Sequence, residues 1–206
     1  MEILDNLNSG SSPKILKAAT QIIKEGNSEF CDELTNALDV LLPNPKTWKT
    51  QSVVIRAIGI SNCTTILPFL ISLTKKEFDS TVLYKELAFS ISIIEYNQDQ
   101  SYDFLNSTFS TDNQLLISGS CAALLYLGVT PKHDQIVKIL NGISSFTENE
   151  GAVITPRTYI AALAYKWPQS EELTNFLQSC QQSNWAGLKE ISTNSLDNKQ
   201  SKIKLI

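Results

Sequence analysis

Apolar residues at the spacing i, i+3, i+4, i+7 place one apolar stripe on an α-helix, and the sequence returns to that template at nearly constant intervals. Its copies are Leu34, Ala37, Leu38, Leu41; then Ile66, Phe69, Leu70, Leu73; then Ile136, Ile139, Leu140, Ile143; and finally Leu173, Phe176, Leu177, Cys180. A weaker copy, Tyr102, Leu105, Asn106, Phe109, lies between the second and third of these, with an amide in one apolar slot. The first positions are separated by 32, 36, 34 and 37 residues. A period of this size in a helical pattern implies stacked helical hairpins rather than one irregular bundle.

Each copy follows a second apolar helical segment: Ile15 to Ile23, Val53 to Ile60, Leu87 to Ile94, Leu115 to Leu127, and Tyr159 to Tyr165. Each unit therefore reads as a first helix, a short turn and a second helix. Gly26-Asn27-Ser28 supplies a stop and a start, Asn62 is expected to cap the second copy, and Pro131 and Pro168 are expected at first helical positions. Alternating β-branched runs bounded by Asn-Gly or Gly-Gly are nearly absent, which leaves an all-α class.

The period and internal layout resemble HEAT-like (armadillo-type) α-helical repeats over roughly residues 13–182. The resemblance implies a right-handed α-solenoid of about five antiparallel helical hairpins. It is one of pattern, because the Asp and Arg positions usual in such repeats do not recur regularly here. One repeat domain is expected over residues 1–192 and a polar, basic tail over residues 193–206. The first eight residues and a helix near Trp185 are expected to cap the array, and residues 144–156 read as its longest loop.

Composition narrows the chemistry. The chain carries 42% hydrophobic and 18% charged residues, and no apolar run approaches the ~20 residues that a bilayer requires. The start, Met1 to Asn6, lacks a basic region followed by a long apolar one, so a cytoplasmic location is expected. Cys31, Cys63, Cys121 and Cys180 form no Cys-x-x-Cys pair and are expected to be reduced and buried. His133 is the single histidine, and no phosphate-binding glycine loop or Gly-x-Ser-x-Gly motif occurs. No catalytic constellation, cofactor site or metal site is expected.

The net charge of -4 hides an asymmetry, because Lys199, Lys202 and Lys204 follow the last acid. Residues 1–198 hold 21 acidic and 14 basic residues, a net of -7. No Lys or Arg lies between Lys24 and Lys46, or between Lys85 and Lys132. Acids near helix starts, such as Asp32, Glu33 and Glu171, are accounted for by the helix dipole. Glu95 is not, because it lies toward the end of its helix beside Tyr96.

The central repeat is thus the most acidic and least regular, and Glu86, Glu95, Tyr96, Asp99, Tyr102, Asp103, Asn106 and Asp112 are the candidate partner-binding residues. Trp48 and Trp167 are further candidate anchors. An acidic surface argues against nucleic acid, which needs clustered Lys and Arg, and for a basic protein partner. The reading that fits best is an immunity protein or antitoxin that occupies the basic cleft of a cognate nuclease toxin. The alternatives are an adaptor or assembly chaperone that binds a helix or peptide, and a HEAT-like enzyme such as a DNA glycosylase or chromophore lyase.

Overall fold

The computed structural model describes residues 2–111, 113–147 and 155–206, and among them every regular element is helical. The described chain falls into two compact units, residues 1–104 and 105–206. In the first, α1 (Glu2–Leu7), α2 (Ser12–Glu25), α3 (Cys31–Leu41), α4 (Trp48–Ile60), α5 (Leu67–Leu73) and α6 (Val82–Asp99) follow one another, and α7 (Asp103–Thr108) begins. The second holds the rest of α7, then α8 (Gln114–Leu127), α9 (His133–Ile143), α10 (Pro156–Leu163), α11 (Glu171–Gln181) and α12 (Ala186–Leu196).

In chain order the helices alternate between the apolar segments and the template copies of the sequence, as α2 then α3, α4 then α5, α6 then α7, α8 then α9 and α10 then α11. In the first unit α2 packs on α4 and α4 on α6, while α3 and α5 lie against α4 and α6. In the second, α8 packs on α10 and α10 on α12. The template residues of α3, α9 and α11 are all buried, as are Ile66, Leu70 and Leu73 of the second copy.

The row of α4 and α6 is closely packed because Gly59 has no side chain. A Cβ there would stand 2.5 Å from the Ser90 Cα, and Ser90 Oγ donates to the Ile55 carbonyl at 2.7 Å. The second unit repeats the device, with Ser195 Oγ donating to the Ala161 carbonyl at 2.6 Å. A buried serine facing a helix carbonyl satisfies a polar group where two backbones meet. α6 is buried without interruption from Glu86 to Ile94, as befits a helix packed on more than one side.

Several local expectations differ from the structure. Cys31 and Cys63 form a disulfide with Cα atoms 5.4 Å apart, so two of the four cysteines are oxidised, and Cys121 and Cys180 are the buried free thiols. Asn62 caps no helix; its φ of 54° turns the chain between α4 and the 3-10 turn Thr64–Ile66. Pro131 and Pro168 precede their helices, because α9 begins after Lys132 and α11 after Ser170, whose Oγ accepts the Leu173 N–H at 3.2 Å. Proline does stand in the first turn of α2, α5 and α10.

α12 runs past the expected tail boundary to Leu196, with Ser192 and Ser195 buried. From Ser201 to Ile206 half-buried and exposed residues alternate, and this segment lies with Leu125 and Ala162 around a cavity of about 350 Å³. Lys199 pairs with Asp197 at 3.1 Å, which withdraws one charge from the basic end.

Candidate functional site

The C-terminal end of α6 and the start of α7 form an acidic corner in the first unit. α6 stops at Gln100, whose φ of 53° is left-handed and whose N–H donates to the Tyr96 carbonyl at 2.8 Å. Ser101 Oγ then accepts the Asp103 N–H at 2.9 Å, and α7 begins. Glu95, half-buried, turns its Oε2 to the Phe104 N–H at 2.9 Å. A carboxylate at a helix N-terminus satisfies a donor that the helix itself leaves open.

That contact answers the sequence argument about Glu95: the end of α6 is also the beginning of α7. Burial nevertheless outweighs the Phe104 hydrogen bond and raises the Glu95 pKa above its ordinary value, with Asp103 and Asp99 adding repulsion. No basic side chain forms an ion pair with Glu95, Asp99 or Asp103 among the described residues. Tyr96 and Tyr102 close the corner edge-to-face, with ring centroids 5.6 Å apart. Burial, followed by the influence of Tyr96, pushes the Tyr102 phenol upward.

The remaining candidates are placed elsewhere. Glu86 is buried and receives Arg56 Nε and Nη2 at 2.8 and 3.1 Å, so the cation absent from its own stretch of sequence comes from α4. Arg56 also lies over the Phe89 ring, 4.6 Å from its centroid. Glu86 is thereby satisfied inside the fold. Asn106, in the second unit, exchanges two amide hydrogen bonds with Gln135 of α9, at 3.3 and 3.0 Å. This explains the amide in an apolar slot. Asp112 lies outside the described residues.

Of the tryptophans, Trp167 is a core residue whose Nε1 donates to the Val129 carbonyl at 2.9 Å. Trp48 is half-buried and faces a cavity of about 200 Å³, together with Gln51 and Phe78, which the sequence did not single out. Their apolar and amide character carries no motif, and only the folded turns bring them together.

The thiols offer little nucleophilic chemistry. Cys121 is fully buried, which drives its pKa up and keeps it protonated, and Cys180 receives a hydrogen bond from Arg157 Nη2 at 3.5 Å. No group of three or more His, Cys, Asp or Glu among the described residues is placed to hold a metal ion. No single helix among them is long and apolar enough to cross a membrane. No family model matches the chain, and no curated protein or solved structure matches it.

Proposed function

We propose that the protein is an acidic protein-binding module that recognises a basic partner, most concretely an immunity protein or antitoxin that occupies the cleft of a nuclease toxin. The observation that carries this reading is the corner of Glu95, Asp99 and Asp103, three carboxylates with no ion-pair partner among the described residues. A patch of one sign attracts its opposite over several ångströms and speeds encounter, which suits a cleft built to attract phosphate. In this reading the five helix pairs are repeats of a right-handed HEAT-like α-solenoid. The successive packing of α2, α4 and α6 in one unit, and of α8, α10 and α12 in the other, supports that arrangement.

The test is capture of partners on the immobilised protein at low and high salt, beside the variant E95K/D99K/D103K. The reading expects a basic protein with nuclease activity, inhibited on binding, released by salt and not retained by the variant. Capture that is indifferent both to salt and to the substitutions would overturn it.

The Cys31–Cys63 bond bears on the compartment, because disulfides persist in oxidising surroundings and are rare in the cytoplasm. It favours an oxidising compartment over the cytoplasm expected from the sequence. Alkylation of the freshly extracted protein tests this: two reactive thiols after unfolding support the oxidised form, and four support the cytoplasm.

A further inference from the structure

We propose that residues 201–206 form a releasable strap over an apolar groove of α8 and α10, and that its release opens the groove to an extended segment with apolar side chains at alternate positions. The inference goes beyond the acidic corner, because strap and groove lie together in the second unit.

The need for a cover begins in the sequence of α8. Its 14 residues include no charged side chain, and α10 carries only Arg157. A helix that is apolar all round is stable only when it is covered all round. α10 packs along α8, and burial is continuous from Leu116 to Leu124. At the last turn Leu125 is only half-buried. The residues that meet it and Ala162, around a cavity of about 350 Å³, all come from the C-terminal segment.

That segment has the reach and the pattern to cross the face. α10 packs on both α8 and α12, and the chain leaves α12 at Leu196. The chain from Asn198 to Ile206 spans about 26 Å when extended, enough to cross two helix spacings of about 8 to 10 Å each. Ser201, Ile203 and Leu205 are half-buried, while Lys202, Lys204 and Ile206 are exposed. A period of two is that of an extended chain with one side covered.

Little holds the strap in place. Among the described residues no hydrogen bond joins residues 201–206 to a helix, and the one they make is local, from the Ile203 N–H to Ser201 Oγ at 3.2 Å. Lys202 and Lys204 form no ion pair among those residues, and α8 and α10 offer them no acid. The cavity shows that the apolar fit is incomplete. Two half-buried side chains gain little against the entropy of ordering six residues, so docked and released forms lie close in free energy. The same contacts define a competitor: apolar groups two residues apart on an extended backbone, bound without help from charge.

The probe is a fluorescently labelled peptide with the sequence of residues 198–206, added to the full chain and to full-length Ile203→Asp with Leu205→Asp. Anisotropy should show the variant binding the peptide roughly tenfold more tightly than the parent, as expected for a strap docked about nine-tenths of the time. Affinity should be the same at low and high salt, and a peptide carrying both substitutions should not bind. Binding by neither protein, or equal binding by both, would overturn the proposal. Binding lost at high salt would overturn it too, by placing the peptide's lysines on an acidic surface instead. A variant that fails to fold would make the segment part of the core, with the same result. In the unaltered protein trypsin should cut after Lys202 while the helices stay intact, and cleavage there only at the rate of global unfolding would show a segment that is not released. Neither measurement involves the acidic corner, so each can fail while the salt-sensitive capture succeeds, and the reverse.

Discussion

Cys31 and Cys63 each stand three residues before the first apolar position of a helical template, and the disulfide between them joins equivalent points of two successive copies of that template. It ties the start of α3 to the turn that leads into α5. Closing a loop of this length restricts the unfolded chain and stabilises the fold by about 3 to 4 kcal/mol in the chain-entropy account. Reduction, or Cys31→Ser with Cys63→Ser, should lower the unfolding free energy by up to that amount. Denaturant titration with and without a thiol reductant measures it, and Cys121→Ser with Cys180→Ser should not abolish the sensitivity to reductant.

Gly59 meets Ser90 so closely that a methyl group there has no room. On an isolated helix Gly→Ala stabilises by up to about 1 kcal/mol. Here the added carbon runs into backbone, which cannot rotate away, and overpacking costs about 1 to 3 kcal/mol. The clash wins, so Gly59→Ala is expected to destabilise the protein. A higher midpoint in urea would show that α4 and α6 are free to separate.

What the sequence disclosed and what it concealed divide along the range of the interaction. The template residues of α3, α9 and α11 could be read because helical periodicity is local, and a residue's burial follows from its neighbours at three and four positions. The cation beside Glu86 is hidden from a count of charge along the chain, because Arg56 lies 30 residues away on α4. A similar interval, 32 residues, separates Cys31 from Cys63. A period known from the apolar positions therefore carried information about polar partners, available by comparing residues one repeat apart. Glu95 as a cap for α7 needed the geometry of the turn, and the pocket of Trp48, Gln51 and Phe78 needed two loops brought together.

Arg56 and Glu86 show why the pair must be removed together or not at all. The Glu86 side chain is 9% exposed and that of Arg56 27%, so truncating the arginine strands a largely buried carboxylate. Breaking a buried pair in this way costs about 3 to 5 kcal/mol, and the partial exposure of Arg56 places the expectation for Arg56→Met near the lower figure. The double replacement Arg56→Met with Glu86→Leu should recover much of the loss. A double-mutant cycle on unfolding free energies tests this, and additive effects would mean that the two charges do not stabilise each other.

Glu95 gives a pH dependence of unusual sign for a carboxylate. Burial holds its folded pKa above the unfolded value, so within the interval between the two the folded protein binds more protons. Stability from this group is therefore present below the unfolded pKa and declines as pH rises through the folded one. Glu95→Gln removes the titration while its amide oxygen can still accept the Phe104 N–H, and it also relieves the repulsion from Asp99 and Asp103. The variant should be more stable than the parent at neutral pH, with the advantage shrinking as pH falls toward 4. Urea midpoints for both proteins across that range decide the matter. A variant that loses stability at neutral pH would mean that the charged cap on α7 outweighs the cost of burying it.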